Sequence, residues 1–417
     1  MMRQNGDFSA TLIRALLGAM FFVFAMTTDA VGSIIPTLID EFRLTLSQAS
    51  AFHYATMASI AAGALAFGLL ADRIGRKPTI VIGLAAYAAA SMAFLIGNSF
   101  AVFIALLIVS GVGISVFKIG ALALLGDVSN SARQHTVTMN LIEGCFGVGA
   151  IIGPAIVAVL LTAGWSWKWL YAIAAAICLA LIAVALPLRF PAGRSAAVER
   201  ATFRRTLVLA CDPHALGFSA LIMLYVGTET AVYVWMPTLL REATDVRGWL
   251  VASALTLFFV ARAAGRFLGA WLLNSLPWRR VLALFGLAIF ACFAGSLLGG
   301  ATLAMYLLPL SGLFMSVLYP SLNSKGISGF PRHEHGAVAG IILFFTAVAA
   351  AAAPLAMGVV GDAFGGVRAG FALAAVWSAL LAAGLAYNWL RDPAGPRLAR
   401  VEAEAEAEAG GLSPPPA

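Results

Sequence analysis

Ile35-Pro36-Thr37-Leu38 returns near mid-chain as Met236-Pro237-Thr238-Leu239, an offset of about 201 residues. Nearly the same offset carries Ser110-Gly111 and Ser115-Val116 onto Ser311-Gly312 and Ser316-Val317. Gly153-Pro154 returns as Ala353-Pro354, and Arg76-Lys77 finds a looser echo in Arg279-Arg280. Both copies lie in strongly apolar sequence. Two related halves in a bilayer, with a site between them, is the architecture of a secondary transporter.

Composition narrows the class before any motif is read. The 417 residues are 61% hydrophobic and 11% charged, with a mean hydropathy of +0.94. A soluble domain carries about 25% charged residues. The apolar stretches reach the roughly 20 residues that a bilayer crossing needs, and 41 glycines suit close helix packing in lipid. The net charge of +7 does not indicate nucleic acid, because the basic residues are interleaved with the spans. Cys145, Cys178, Cys211 and Cys292 are scattered without metal-ligand spacing and read as packing residues. No Walker loop and no nucleophile–base spacing is present, so neither catalysis nor a cofactor or metal is expected. The first apolar run outlasts a signal h-region and reads as a retained first span.

The expected fold is all-α and integral to the membrane, with twelve transmembrane helices in two pseudo-symmetric six-helix halves. Residues 1–188 form the first half, with helices near 12–39, 47–71, 78–97, 100–126, 135–162 and 166–188. Residues 189–212 form a polar cytoplasmic linker rich in arginine. Residues 213–391 form the second half, with helices near 213–240, 247–272, 278–298, 301–325, 335–361 and 367–390. The tail, 392–417, alternates Glu and Ala before becoming Pro-rich, and is expected to be a disordered cytoplasmic segment. Of the 26 Lys and Arg, only Arg43, Lys168, Arg241, Arg247 and Arg368 fall on the side opposite the termini. Cytoplasmic loops attract the excess, so both termini are placed inside, in a bacterial inner (plasma) membrane.

The stretch Gly68 to Pro78, GLLADRIGRKP, resembles the G-x-x-x-D-R-x-G-R-[RK] signature of the major facilitator superfamily. The resemblance covers essentially the whole chain. It implies that Gly68, Asp72, Arg73, Gly75 and Arg76 form a cytoplasmic latch that breaks and re-forms as the halves rock. Within the superfamily, Asn140, Glu143, Phe146, Gly147, Gly149, Ala150 and Gly153-Pro154 resemble a fifth-helix pattern. That pattern belongs to the fucose/galactose/glucose:proton symporter family and its relatives. Tyr225-Val-Gly227-Thr-Glu229, followed by Trp235 and Pro237-Thr238, is similar to that family's seventh helix, and Gly265-Arg266 to its eighth. Glu143 stands where relatives often carry His, and Ser115 where an acidic residue is found in the family. Asp29, seven residues before Pro36, instead resembles the first helix of proton-driven drug exporters. Gly149-x-x-x-Gly153-Pro154 also overlaps the antiporter motif of that group.

An ionisable side chain at mid-bilayer costs at least about 2.5–3.5 kcal/mol on insertion scales, so each one is a functional candidate. Five lie deep: Asp29, Lys118, Glu143, Glu229 and Arg262. Lys118 and Glu143 each fall roughly 12 Å from the same boundary on consecutive helices, which suggests a pair. Glu229 and Arg262 are placed alike across the next hairpin, leaving Asp29 alone. A carboxyl without a counter-charge in low dielectric takes up a proton rather than ionise, so Asp29 is the first choice for proton coupling and Glu229 the second. The alternative is that these charges are structural pairs. Tyr225, Glu229 and Tyr233 recur every four residues on one helical face, as do Met315, Tyr319 and Asn323. Aromatic rings beside amide and carboxyl groups suit a sugar, with ordinary packing as the bland reading. The candidate cavity set is therefore Lys118, Asn140, Glu143, Tyr225, Tyr233, Arg262, Tyr319 and Asn323. Trp165, Trp167, Trp169 and Trp278 read as interfacial, and His53 as a surface or packing residue.

The function expected from these features is proton-coupled symport of a small polar, sugar-like solute by a chain acting as a monomer. Its partners are the solute, protons and the lipid bilayer, with no nucleic acid. Proton-driven export of a drug-like or siderophore-like compound is the alternative, as is organic-anion transport anchored on Lys118 and Arg262. A channel or an interaction scaffold is disfavoured by the two-half repeat.

Overall fold

A computed structural model describes residues 2–67, 70–128, 132–188, 190, 208–241, 248–331 and 334–409. Among the described residues every regular element is a helix. We number them α1 to α13, counting interrupted helices once. The first six are α1 (Met2–Thr28 and Val31–Phe42), α2 (Leu46–Ala49, Ala51–Phe67 and Leu70–Arg73), α3 (Arg76–Ala93), α4 (Phe100–Val128), α5 (Ala132–Thr162) and α6 (Trp169–Ala185). The next six begin with α7 (Pro213–Thr230, a π turn Ala231–Trp235, then Met236–Arg241), α8 (Gly248–Ser275) and α9 (Trp278–Leu298). They end with α10 (Gly300–Met315 and Leu318–Ser328), α11 (His335–Phe364) and α12 (Val367–Arg391). A terminal α13 spans Gly395–Ala409.

Among the described residues, nine of these helices are long and apolar enough to cross a membrane, and Trp169–Ala185 is a shorter apolar helix. The surface agrees with a lipid solvent. Leu65, Phe267 and Leu298 are more than four-fifths exposed, which water would penalise and hydrocarbon does not. The twelve expected helices all occur as helical segments. They pack as two groups, α1–α6 and α7–α12, that meet along α1–α7, α2–α11 and α5–α8.

Two interruptions fall at equivalent places of the repeat. The first helix breaks at Asp29-Ala30, and the seventh widens into its π turn at Ala231, one repeat further on. Both irregularities fall inside otherwise helical spans, where such departures often mark function. Within the first group, α5 lies so close to α1 that a Cβ on Gly153 would stand 2.0 Å from the Met26 carbonyl oxygen. That approach explains a glycine at this step of the fifth-helix pattern.

At the end opposite the chain termini the two groups are tied directly. Asp362, at the end of α11, accepts from the Leu46 and Ser47 amides at 2.7 and 2.9 Å and from the Ser47 hydroxyl. It thereby caps the start of α2 beside that helix's own Thr45–Gln48 capping box. Arg241 pairs with Asp40 at 3.0 Å, and the repeat makes these two positions equivalents of each other. Both partners are largely exposed, so this pair contributes a fraction of a kcal/mol, roughly 0–1. Gly32 admits the Tyr233 backbone where a Cβ would lie 1.9 Å from its carbonyl oxygen. A cavity of about 330 Å³, bordered by Ser33, Pro36, Thr162, Leu240, Arg241 and Val251, remains between α1, α5, α7 and α8 here.

Two expectations change. Trp167 is not interfacial: it is 2% exposed and packs edge-on against Phe52, Phe103 and Tyr171, while Tyr171 stacks on Phe94 at 4.0 Å. Trp165 and Trp169 are exposed, as an interfacial role requires. The tail is not disordered through its first part, because α13 forms there. Its Ala/Glu sequence favours helix, and Arg400 lies 3.7 Å from Glu404 one turn on. Arg397 anchors it by a two-pronged pair with Asp212 (2.8 and 2.9 Å), a bond to the Gly329 carbonyl (2.8 Å) and a position 4.2 Å over the Phe330 ring. Partial burial pushes the Asp212 carboxyl up, yet Arg397 and the His214 and Ala215 amides outweigh it and hold the group below its ordinary value. The rest of the tail, 410–417, and most of the linker, 189 and 191–207, lie outside the described residues.

Asp362→Ala removes the acceptor that ties α11 to α2. Loss of such a cap is worth about 1 kcal/mol, which is roughly fivefold in the ratio of closed to open at this end. Spin labels at Arg43 and Phe364 should show the long-distance population growing by about that factor; an unchanged distance distribution contradicts the assignment.

Candidate functional site

The bundle centre holds the charges that sequence reasoning singled out, on helices from both groups. Glu229 ends the regular part of α7 and is 7% exposed. Arg262 of α8 reaches it with Nη2 at 2.7 Å from Oε1, so the expected Glu229–Arg262 pair is formed. The Tyr225 hydroxyl, one turn before Glu229, donates to the same Oε1 at 2.8 Å. Its other acceptor within reach is the Met315 carbonyl at 3.1 Å, at the break in α10. The single phenolic proton is thus shared between a carboxylate of α7 and a backbone group of α10. The Arg262 Nε is buried without a hydrogen-bond partner, so the guanidinium keeps unused donor capacity.

Asp29 makes no ion pair among the described residues, although charges from the other half act on it at longer range. It sits at the break in α1 and lies within the fields of Arg262, which favours its charge, and Glu229, which opposes it. Among the described residues no cation stands within 4.0 Å of its carboxylate. Hairpin order concealed this, because α1 and α8 come from different halves. Two acids therefore address one guanidinium across the interface between the groups, with Arg266 a more exposed positive neighbour.

The expected Lys118–Glu143 pair is not made as a contact. Consecutive helices need not pack, and here α5 packs on α1 while α4 packs on α2 and α3. The Lys118 amine stands 5.4 and 4.7 Å over the rings of Phe21 and Phe24 on α1, and Glu143 acts on it only at longer range. Phe24 in turn lies 5.5 Å from Phe146 of α5. A half-buried ammonium held by aromatic faces keeps its hydrogen-bond donors available. Glu143 is half-buried and in the field of Arg266, and Asn140 is exposed one turn earlier.

The aromatic stripes are only partly as expected. Tyr225 and Tyr319 approach at 6.4 Å between α7 and α10, and Asn323 is half-buried one turn beyond. Tyr233 does not simply continue the Tyr225–Glu229 face, because the π turn alters the register. Its ring packs 5.5 Å from His53 of α2 and 6.4 Å from Phe259 of α8.

The latch is described in part. Gly68 and the Asp72 side chain lie outside the described residues, Arg73 is exposed, and Gly75 turns the chain at φ 93°. Arg76 binds Asp127 at the end of α4 (2.9 Å) and the Ala71 carbonyl (2.9 Å), pinning the α2–α3 junction to α4. Sequence reasoning missed Asp127 and Asp362. An acid at a helix end gives no signal of the element it faces.

The family model described as Major Facilitator Superfamily matches residues 17–354. A protein named glucose/galactose transporter from Brucella abortus is 25% identical over 381 residues, covering 87% of this chain and 90% of its own. A solved variant of the E. coli fucose:proton symporter is similar over 91% of this chain and 99% of that one, at TM-score 0.62 and 23% identity. An inward-facing, unoccupied bacterial homologue of the human lysosomal transporter Spinster matches at TM-score 0.74 and 13% identity, covering 94% and 98%.

Glu229→Gln leaves Arg262 buried without its partner, and breaking such a pair costs about 3–5 kcal/mol. The double variant Glu229→Gln/Arg262→Gln should recover most of that stability in thermal unfolding. Equal destabilisation of the single and double variants would show that the two side chains do not depend on each other.

Proposed function

The chain belongs to the Major Facilitator Superfamily, and we propose that this transporter moves a small polar, sugar-like solute together with a proton by alternating access. It is a multi-pass membrane protein and not an enzyme. One observation carries the proton-coupled reading: Asp29 of the first group lies in the field of the Glu229–Arg262 pair of the second. With Asp29 ionised, two carboxylates compete for one guanidinium; with a proton on Asp29, the pair balances and the trio is neutral. Proton occupancy thereby changes the attraction between the groups at the place where a solute would dock.

In the proposed cycle both termini are cytoplasmic, so the tied end faces outward and Asp29 takes its proton from that side when the end is open. The solute docks between α1, α4, α7 and α10, with Tyr225, Tyr233 and Tyr319 offering ring faces and Asn140, Glu143 and Asn323 polar contacts. The units 1–188 and 213–391 rock about the linker 189–212, the Gly68–Arg76 latch re-forms on the cytoplasmic side, and proton and solute leave inside. A monomer in a bacterial inner membrane suffices for this. The aromatic and carboxylate lining supports a sugar-like solute, as does the glucose/galactose transporter relative.

A second reading has its own observation. Among the described residues no carboxylate contacts the Lys118 amine, which is held by Phe21 and Phe24, so it is available to anchor an organic anion. A charged hydrogen bond of this kind is worth about 1.5–3 kcal/mol, so Lys118→Ala would raise KM for a carboxylate roughly tenfold to hundredfold while sparing a neutral sugar.

Asp29→Asn is expected to abolish accumulation against a gradient while solute exchange across the membrane continues, measured with labelled solute in proteoliposomes. Full accumulation by the variant contradicts the assignment of Asp29.

A further inference from the structure

The closed end buries a histidine that the proposed cycle does not use. His53, on the first turn of the long segment of α2, is 1% exposed, and the backbone of Ala350 is within hydrogen-bonding reach of its ring. It lies where the two groups meet. The Tyr233 ring of α7 stands 5.5 Å away at 67°, and the Ala350 carbonyl of α11 is its nearest polar neighbour across the interface. Its own helix supplies only backbone: the His53 amide donates to the Ser50 carbonyl at 3.0 Å. On the α1 side, Gly32 packs against the Tyr233 backbone and presents no polar side chain. Among the described residues no charged side chain acts on the imidazole, and Asp29 acts on the Tyr233 ring.

A neutral imidazole carries one donor and one acceptor; in the closed form the donor can go to the Ala350 carbonyl, which leaves only the acceptor unmet. An imidazolium carries two donors and a charge, with no anion here to meet them, so it opposes closure far more strongly. When α2 separates from α7 and α11, water reaches the ring and satisfies either form. We propose that His53 is a proton-sensitive gate: this end closes only on the neutral imidazole, and a proton on His53 holds it open to the medium. This goes beyond the transport reading, since it requires only that the end open and close, and it assigns His53 a task separate from the carboxyl that travels with the solute.

The sign follows from linkage. The open form binds the proton better, so acid favours opening. An exposed imidazole titrates at about 6.5. The ratio of open to closed should therefore be flat above that pH, and below it should rise by up to about tenfold per pH unit.

The test places spin labels at Arg43 and Phe364 in a chain whose native cysteines are replaced and which carries Asp29→Asn, so that the coupling carboxyl contributes nothing. Distance distributions are recorded from pH 8 to pH 5 without solute or gradient, which separates this outcome from any failure of the transport reading. The expected result is a long-distance population that grows as the pH falls below about 6.5. Adding His53→Phe should leave it low at every pH, and His53→Gln, polar but not titratable, should leave it higher and flat. A profile that is flat with His53 present overturns the proposal, as does an acid-dependent rise that survives in His53→Gln, which decides the matter should the Phe variant not fold.

Discussion

A guanidinium in the middle of a bilayer must be neutralised, and this chain offers Arg262 two carboxylates from different halves. Glu229 holds it directly at 2.7 Å, while Asp29 stands in its field without contact. In low dielectric the electrostatic difference between one and two ionised acids around a single cation is large. Much of the surrounding structure serves this arrangement. The break in α1 brings Asp29 to the centre, the π turn of α7 follows directly after Glu229, and Tyr225 links Glu229 to the break in α10.

The internal repeat explains why such a cluster can straddle an interface. Equivalent positions of α1 and α7 meet near the axis relating the halves, as the Asp40–Arg241 pair shows in its plainest form. Residues related by the repeat have diverged in charge, so a symmetric scaffold carries an asymmetric site. Among the described residues, the side-chain ties at the closed end include a carboxylate capping α2, an exposed ion pair and a histidine packed on a tyrosine. An end held by a few such contacts can open at a cost of a few kcal/mol, the scale on which ligands shift conformations.

The fold was legible in the sequence because its causes are local or periodic. Apolar runs of bilayer length, the repeat and the signature from Gly68 to Arg76 each act through neighbours in the chain. The Glu229–Arg262 pair was also legible, since a long arginine bridges a hairpin without close packing. The Lys118–Glu143 pair misled because chain order was taken for spatial order, whereas α1 supplies the neighbour of α5. The longer-range influence of Arg262 and Glu229 on Asp29 was not legible, because those residues lie about 200 residues further along the chain. The helical start of the tail was missed because the partner that anchors Arg397, Asp212, lies 185 residues away in the sequence.

The central claim, that proton occupancy of this trio is coupled to solute movement, is tested most directly by lumenal pH in sealed proteoliposomes. The vesicles are challenged with external glucose, galactose or a small carboxylate, with no imposed gradient. The account predicts lumenal acidification as solute enters, lost in Asp29→Asn. Solute entry without any change in lumenal pH, or alkalinisation on entry, would contradict it.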